Sequence, residues 1–152
     1  MFDTNIFSEC SDDFASMKLR DGVQIYSTTV QLDELRNTKD PNLRTKLEQR
    51  FQAMSPIIVD AESFVWGVTQ WGSSKWNKSE GLFDQLKKEL ATIDAKKKHK
   101  DPLNPARDVV MAETAVYQNY VFVSEDSGLR EAINNCDGCA VSWAEFTSSA
   151  AL

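Results

Sequence analysis

A chain of 152 residues, 41% hydrophobic and 26% charged, is long enough to bury one core without disulfides or a structural metal and too mixed in composition to be disordered. Its formal charge of −6 argues against a protein that coats nucleic acid by bulk electrostatics, an objection that weakens if acids are gathered at a metal site, where bound cations reverse the local field. No apolar run approaches the roughly 20 residues that span a bilayer, and Met1 to Asp3 carries no export signal, so one cytoplasmic domain over residues 1–152 with no membrane partner is expected.

Met1-Phe2 is a short apolar start running into Asp3, and a helical stretch is expected near Ile6 to Phe14. Asp21-Gly22 marks a turn before Val23 to Tyr26, whose β-branched and aromatic residues suit a strand. Ser27-Thr28-Thr29 offers hydroxyls to cap a helix reaching about Asn37, and Asp40-Pro41 opens another as far as Met54. After a brief extended piece over Pro56 to Val59, Asp60 is expected to cap a helix reaching about Trp76, with Gly67 and Gly72 weakening it. From Ser79 to about Lys98, Leu82, Phe83, Leu86, Leu90 and Ile93 recur at helical spacing, until Asp101-Pro102 and Asn104-Pro105 interrupt. A helix from about Ala106 to Gln118, a strand over Tyr120 to Val123, a helix from Ser127 to Asn134 and a strand from Ala140 to Trp143 complete the chain. This alternation predicts an α/β fold with a mainly parallel central sheet flanked by helices. Cys136-Asp137-Gly138-Cys139 reads as the turn between the last helix and strand, since no second Cys/His pair completes a zinc site.

In such sheets functional residues collect just beyond the carboxyl ends of strands. Asp3 closes the first strand, Asp126 follows Val121-Phe122-Val123-Ser124, Asp108 falls in the first turn of its helix, and Glu34 lies on the helix after the second strand. Each has an ordinary structural reading: Asp108 and Asp126 suit helix starts, and Glu34 suits a solvated face. Asp33 is Glu34's neighbour, and adjacent helical residues point apart, so at most one faces a common site. Two carboxylates about 4 Å apart repel by roughly 4 kcal/mol at an effective dielectric of about 20, so a cluster needs a cation. Mg2+ or Mn2+ fits an all-oxygen site and can activate water. His99 is the single histidine, which excludes a two-histidine ribonuclease mechanism.

At these residues the chain resembles the PIN-domain family. Asp3-Thr4-Asn5 is similar to the family's first-strand motif, and Val23 to Arg36 to its strand-then-helix segment, with the motif's Glu-Leu on Glu34-Leu35. Arg107 to Ala115 resembles the segment of the third acid, at Asp108, and Val121 to Asp126 the segment in which Ser124 precedes the fourth acid, Asp126. The resemblance implies a PIN-like three-layer fold and a metal-dependent endoribonuclease that leaves a 5′-phosphate. Its metal ligands would be Asp3, Glu34, Asp108 and Asp126, supported by Asn5 and Ser124. Many bacterial members of this size are toxins of toxin–antitoxin pairs, so the resemblance also implies a cognate antitoxin as partner and a homodimer. Glu113 falls where many members carry a small residue, about 140° around the helix from Asp108, and is not assigned as a ligand.

Lys96, Lys97, Lys98 and Lys100 form the concentrated basic run, a candidate for holding RNA phosphates and equally a solvated helix end. Trp66, Trp71 and Trp76 recur every five residues, so they cannot share one helical stripe, and at least one should leave the core face. Two competing readings are a haloacid-dehalogenase-like phosphatase, disfavoured because Asn5 stands where that class needs an Asp, and a receiver domain, disfavoured by the helical midpoint. The main alternative is a catalytically inactive PIN-like module that only binds a partner.

Overall fold

The computed structural model describes residues 1–9, 22–75, 81–93 and 104–150. Within them the chain is a mixed α/β protein: α1 (Thr4–Glu9), β1 (Tyr26–Thr28), α2 (Thr29–Arg36), α3 (Pro41–Met54), β2 (Ile57–Val59), α4 (Leu82–Ile93), α5 (Asn104–Tyr117), β3 (Val121–Val123), α6 (Ser127–Asn135), β4 (Cys139–Val141) and α7 (Trp143–Ala150).

Both strand pairs are parallel. β1 pairs with β2, Ser27 opposite Ile58, and β3 pairs with β4, Phe122 opposite Ala140. Residues 1–3 run alongside β3: Phe2 bridges Val123 in parallel, Asp3 N donates to Val123 O at 2.8 Å, and Val123 N donates to Met1 O at 2.9 Å. Between this stretch and β1 a side chain does the joining. The Gln31 amide nitrogen donates to Phe2 O, while its Oε1 accepts from Thr28 N and from the Ser27 and Thr28 hydroxyls. Tyr26 and Tyr120 stack across the same seam with ring centroids 4.2 Å apart.

Alternation along β3 splits the core in two. Phe122 packs with Leu86 and Leu90 of α4, Val109 to Ala112 of α5, and Ile133 of α6. Val123 and Phe2 join a second cluster with Ile6, Phe7, Leu35, Leu47 and Phe51, against which Trp143 and Phe146 of α7 pack. Asp3, one residue beyond Phe2, is therefore carried to the end of the stretch with apolar matter around it, and is only 5% exposed.

Several expected elements shift. The second strand forms at Tyr26–Thr28 rather than Val23 to Tyr26, and Thr28 both ends it and caps α2. The first helix starts at Thr4, and what the sequence places beyond Glu9 lies outside the described residues. The helix expected from Asp60 to Trp76 does not form: residues 60–75 are turns and bends closed by a bridge between Ala61 and Ser74. Gly67 and Gly72 adopt φ of 75° and 91°, left-handed values that end any helical run at once. The last strand stops at Val141 and α7 follows, its start fixed by Ser142 and Glu145, whose Oε2 accepts from Ser142 N at 2.7 Å and from its hydroxyl at 2.8 Å. The Cys136 to Cys139 segment is a turn, as its composition indicates: Asp137 has φ of 60°, and a Cβ on Gly138 would come within 2.6 Å of Ile133. Among the described residues no helix is long and apolar enough to cross a membrane.

Candidate active site

Asp3 stands at the centre of a hydroxyl-linked carboxylate network. Its Oδ1 accepts from Thr4 N at 2.7 Å and from the Thr4 hydroxyl at 3.3 Å, and its Oδ2 accepts from the Ser124 hydroxyl at 2.6 Å. Burial pushes its carboxyl above the ordinary aspartate range and the Asp126 charge adds to that rise, while the hydrogen bonds from Ser124 and Thr4 draw it back.

Ser124 joins three segments. Its oxygen also accepts from Asn5 Nδ2 at 3.1 Å and from Asp126 N at 3.0 Å, so the loop after β3 is locked onto the start of α1. Asn5 Oδ1 in turn accepts from Glu125 N at 3.3 Å, and Arg130 donates to Ser124 O at 2.6 Å. Asn5 is thus hydrogen-bonded to Ser124, and Ser124 to Asp3. Asp126 is the N-cap of α6, accepting from Gly128 N at 2.8 Å and Leu129 N at 3.0 Å. Capping and proximity to Asp3 are both satisfied, because the cap uses Oδ1 while the shared Ser124 oxygen holds the backbone of Asp126.

Glu34 comes in from α2. The Thr4 hydroxyl donates to its Oε2 at 2.9 Å, and Arg107 Nε lies 3.8 Å from its Oε1. Asp33 turns the other way, accepting from Gln70 Nε2 at 2.8 Å, as adjacent helical positions require. Three of the four expected acids are therefore linked: Glu34 to Asp3 through one Thr4 hydroxyl, and Asp126 to Asp3 through Ser124.

Asp108 is placed differently. α5 begins at Asn104, two residues before the expected start, so Asp108 sits past the first turn and is no helix cap. It follows Arg107 and lines an apolar cavity together with Phe64, Trp66, Phe83 and Leu90. The basic run Lys96 to Lys100 lies outside the described residues.

Sequence reasoning missed the cations Arg107 and Arg130, and Thr4 as the hydroxyl between two acids. It also missed a second buried polar group. Glu62, fully buried, accepts from Lys75 Nζ at 2.7 Å and from the Gln118 amide, and its Oε2 has no hydrogen-bond partner. Glu113, also fully buried, accepts from the Ser63 hydroxyl at 2.8 Å. Glu62 and Ser63 fall in the segment expected to be helical, which hid their approach to α5.

Among the described residues no three Asp, Glu, His or Cys side chains stand close enough to grip one ion as placed. The donor chemistry nevertheless fits a hard divalent cation. Every donor is oxygen, and Asp3 carries a charge that burial and Asp126 both oppose and that a cation would favour. No protein-family model, curated protein or solved structure matches the chain.

Proposed function

We propose that the chain is a metal-dependent endoribonuclease with a PIN-like three-layer architecture, its site formed by Asp3, Glu34 and Asp126 with Asp108 at its edge. The observation that carries this reading is the double linkage of Asp3, through Ser124 to the Asp126 loop and through Thr4 to Glu34. Gathering carboxylates in a buried setting is costly to stability even with hydroxyls between them, and groups held at such a cost cluster at functional sites. The two apolar clusters meeting at Phe122 and Val123 agree with helices on both faces of a sheet, as the architecture needs.

Asp3, Glu34, Asp108 and Asp126 would hold Mg2+ or Mn2+, which when bound supplies activated water and offsets charge on a phosphoryl group. The protein's own part is positional. Ser124 and Thr4 aim Asp3 and oppose the rise that burial imposes on its pKa, Asn5 holds Ser124, and Arg107 beside Glu34 presents a cation where an RNA phosphate would lie. A role as the toxin of a toxin–antitoxin pair, acting as a homodimer blocked by its partner, belongs to the same proposal.

Calorimetric titration of the metal-free protein with Mn2+ tests the site. Binding that Asp3→Asn abolishes is expected. Absence of binding by the folded wild type would favour an inactive partner-binding module instead.

A further inference from the structure

Gln31 is fully buried at the third position of α2, and both halves of its amide are used. Its Oε1 accepts from Thr28 N and, at 3.0 Å each, from the Ser27 and Thr28 hydroxyls, while its Nε2 donates to Phe2 O, 29 residues away. Turning the amide over would set Nε2 against the Thr28 N–H and Oε1 against the Phe2 carbonyl, so the network forces this orientation.

The bond to Phe2 O falls on the peptide unit that leads into Asp3. Gln31 holds its carbonyl, and Val123 O accepts its N–H, that of Asp3, at 2.8 Å, so the unit is pinned from both sides, by α2 and by β3. Gln31 also stands one helical turn before Glu34, and the Thr4 hydroxyl bridges the same two elements again, 2.9 Å from Glu34 Oε2 and 3.3 Å from Asp3 Oδ1. Among the described residues β1 pairs with β2 and residues 1–3 run with β3, so the Gln31 side chain spans a seam that no strand pairing crosses. Helix capping does not account for this. A capping box needs only an acceptor at this position, which glutamate supplies as well as glutamine, whereas the amide donor is directed at Phe2 O.

We propose that Gln31 is a positioning residue of the carboxylate site: its amide sets the spacing of Asp3 from Glu34, and with it the grip of both on a divalent cation. The proposal rests on the metal-site reading above. Gln31 acts through the backbone that carries Asp3 and the helix that carries Glu34, not by contact with the cation. Without that tie the two like charges relax apart, and a cation must first draw them together, which lowers its affinity.

The test compares two uncharged substitutions on the same network. Gln31→Met keeps the length of the side chain and removes the tie to Phe2 O. Thr28→Val removes the hydroxyl from the helix cap and keeps that tie. Calorimetric titration of the folded, metal-free proteins with Mn2+ should show affinity weakened about 10–100-fold by Gln31→Met, the range for groups that orient metal ligands, and unchanged by Thr28→Val, although both unfold earlier than wild type. Amide hydrogen exchange without metal should quicken at Asp3 and Val123 in Gln31→Met and not in Thr28→Val. If Gln31→Met does not fold, Gln31→Glu takes its place: it keeps the cap acceptor, loses the donor and should weaken Mn2+ binding in the same way. Wild-type Mn2+ affinity in a folded Gln31 variant overturns the proposal, and so does an equal loss in Thr28→Val, which would trace the effect to the stability of α2. Absence of Mn2+ binding by folded wild type sinks the metal-site reading, and the exchange rates then decide: faster exchange at Asp3 in the Gln31 variant alone upholds the positioning of Asp3, and unchanged exchange overturns it.

Discussion

The Ser124 hydroxyl donates to Asp3 Oδ2 at 2.6 Å, joining residues 121 apart in sequence. That bond opposes the upward push of burial on Asp3 and fixes the loop that carries Asp126. Ser124→Ala should therefore raise the Asp3 pKa further and leave Asp126 N and the Asn5 amide without their acceptor. The expected cost is about 1–3 kcal/mol in urea unfolding, with the Asp3 carboxyl carbon titrating higher by NMR. An unchanged midpoint and titration would show that the bond is incidental.

Asp3 also makes the metal-free protein's stability pH-dependent. Its native pKa is raised above the ordinary value of 3.8, so between 3.8 and the raised value the native state binds more protons than the unfolded chain. Stability must then fall as pH rises through that window and stay lower above it. Asp3→Asn removes this contribution, so its thermal midpoint at neutral pH, without metal, should equal or exceed that of wild type. A steeper loss with rising pH in the variant would reverse the sign and refute the argument.

The legible part of the fold was the part set by local chemistry. Asp40-Pro41 announced α3, and the Asp40 side chain does accept from Asn42 N and Leu43 N, at 2.9 and 3.3 Å. Ser142 and Glu145 carried an equally local signal for α7, which the strand pattern of Ala140 to Trp143 obscured. Residues 60–75 were misread because an apolar run with two glycines fits a weak helix, and only the φ of Gly67 and Gly72 decides against it. Of the three linked acids, Asp3 and Asp126 stood out in the sequence from their places beside strand ends, and Glu34, on a helix, through the family resemblance. Thr4, Arg107 and Arg130 did not, because their roles depend on elements far apart in sequence coming together.

Lys75 and Glu62 give a prediction about stability alone. Lys75→Met strips the cation from a fully buried carboxylate whose Oε2 already lacks a partner, and should cost about 1–3 kcal/mol. Glu62→Gln, which also removes the charge, should cost less. Chemical unfolding of both variants checks the order, and the reverse order would show that Glu62 does not depend on Lys75.

Asp108→Asn separates a ligand from a wall residue. Because α5 starts at Asn104, the substitution disturbs no cap. Cleavage should fall by orders of magnitude while the metal-free protein unfolds no earlier than wild type. Wild-type cleavage by the variant would leave Asp108 as part of the cavity and confine the site to Asp3, Glu34 and Asp126.

The most direct test of the nuclease reading is cleavage of a mixed RNA pool by wild type and Asp3→Asn, with Mn2+ or Mg2+ and with the metal chelated. Wild type should cut only with metal, and Asp3→Asn should lose that activity by orders of magnitude while remaining folded. Equal cutting by both proteins, or none by a folded wild type supplied with metal, would contradict it.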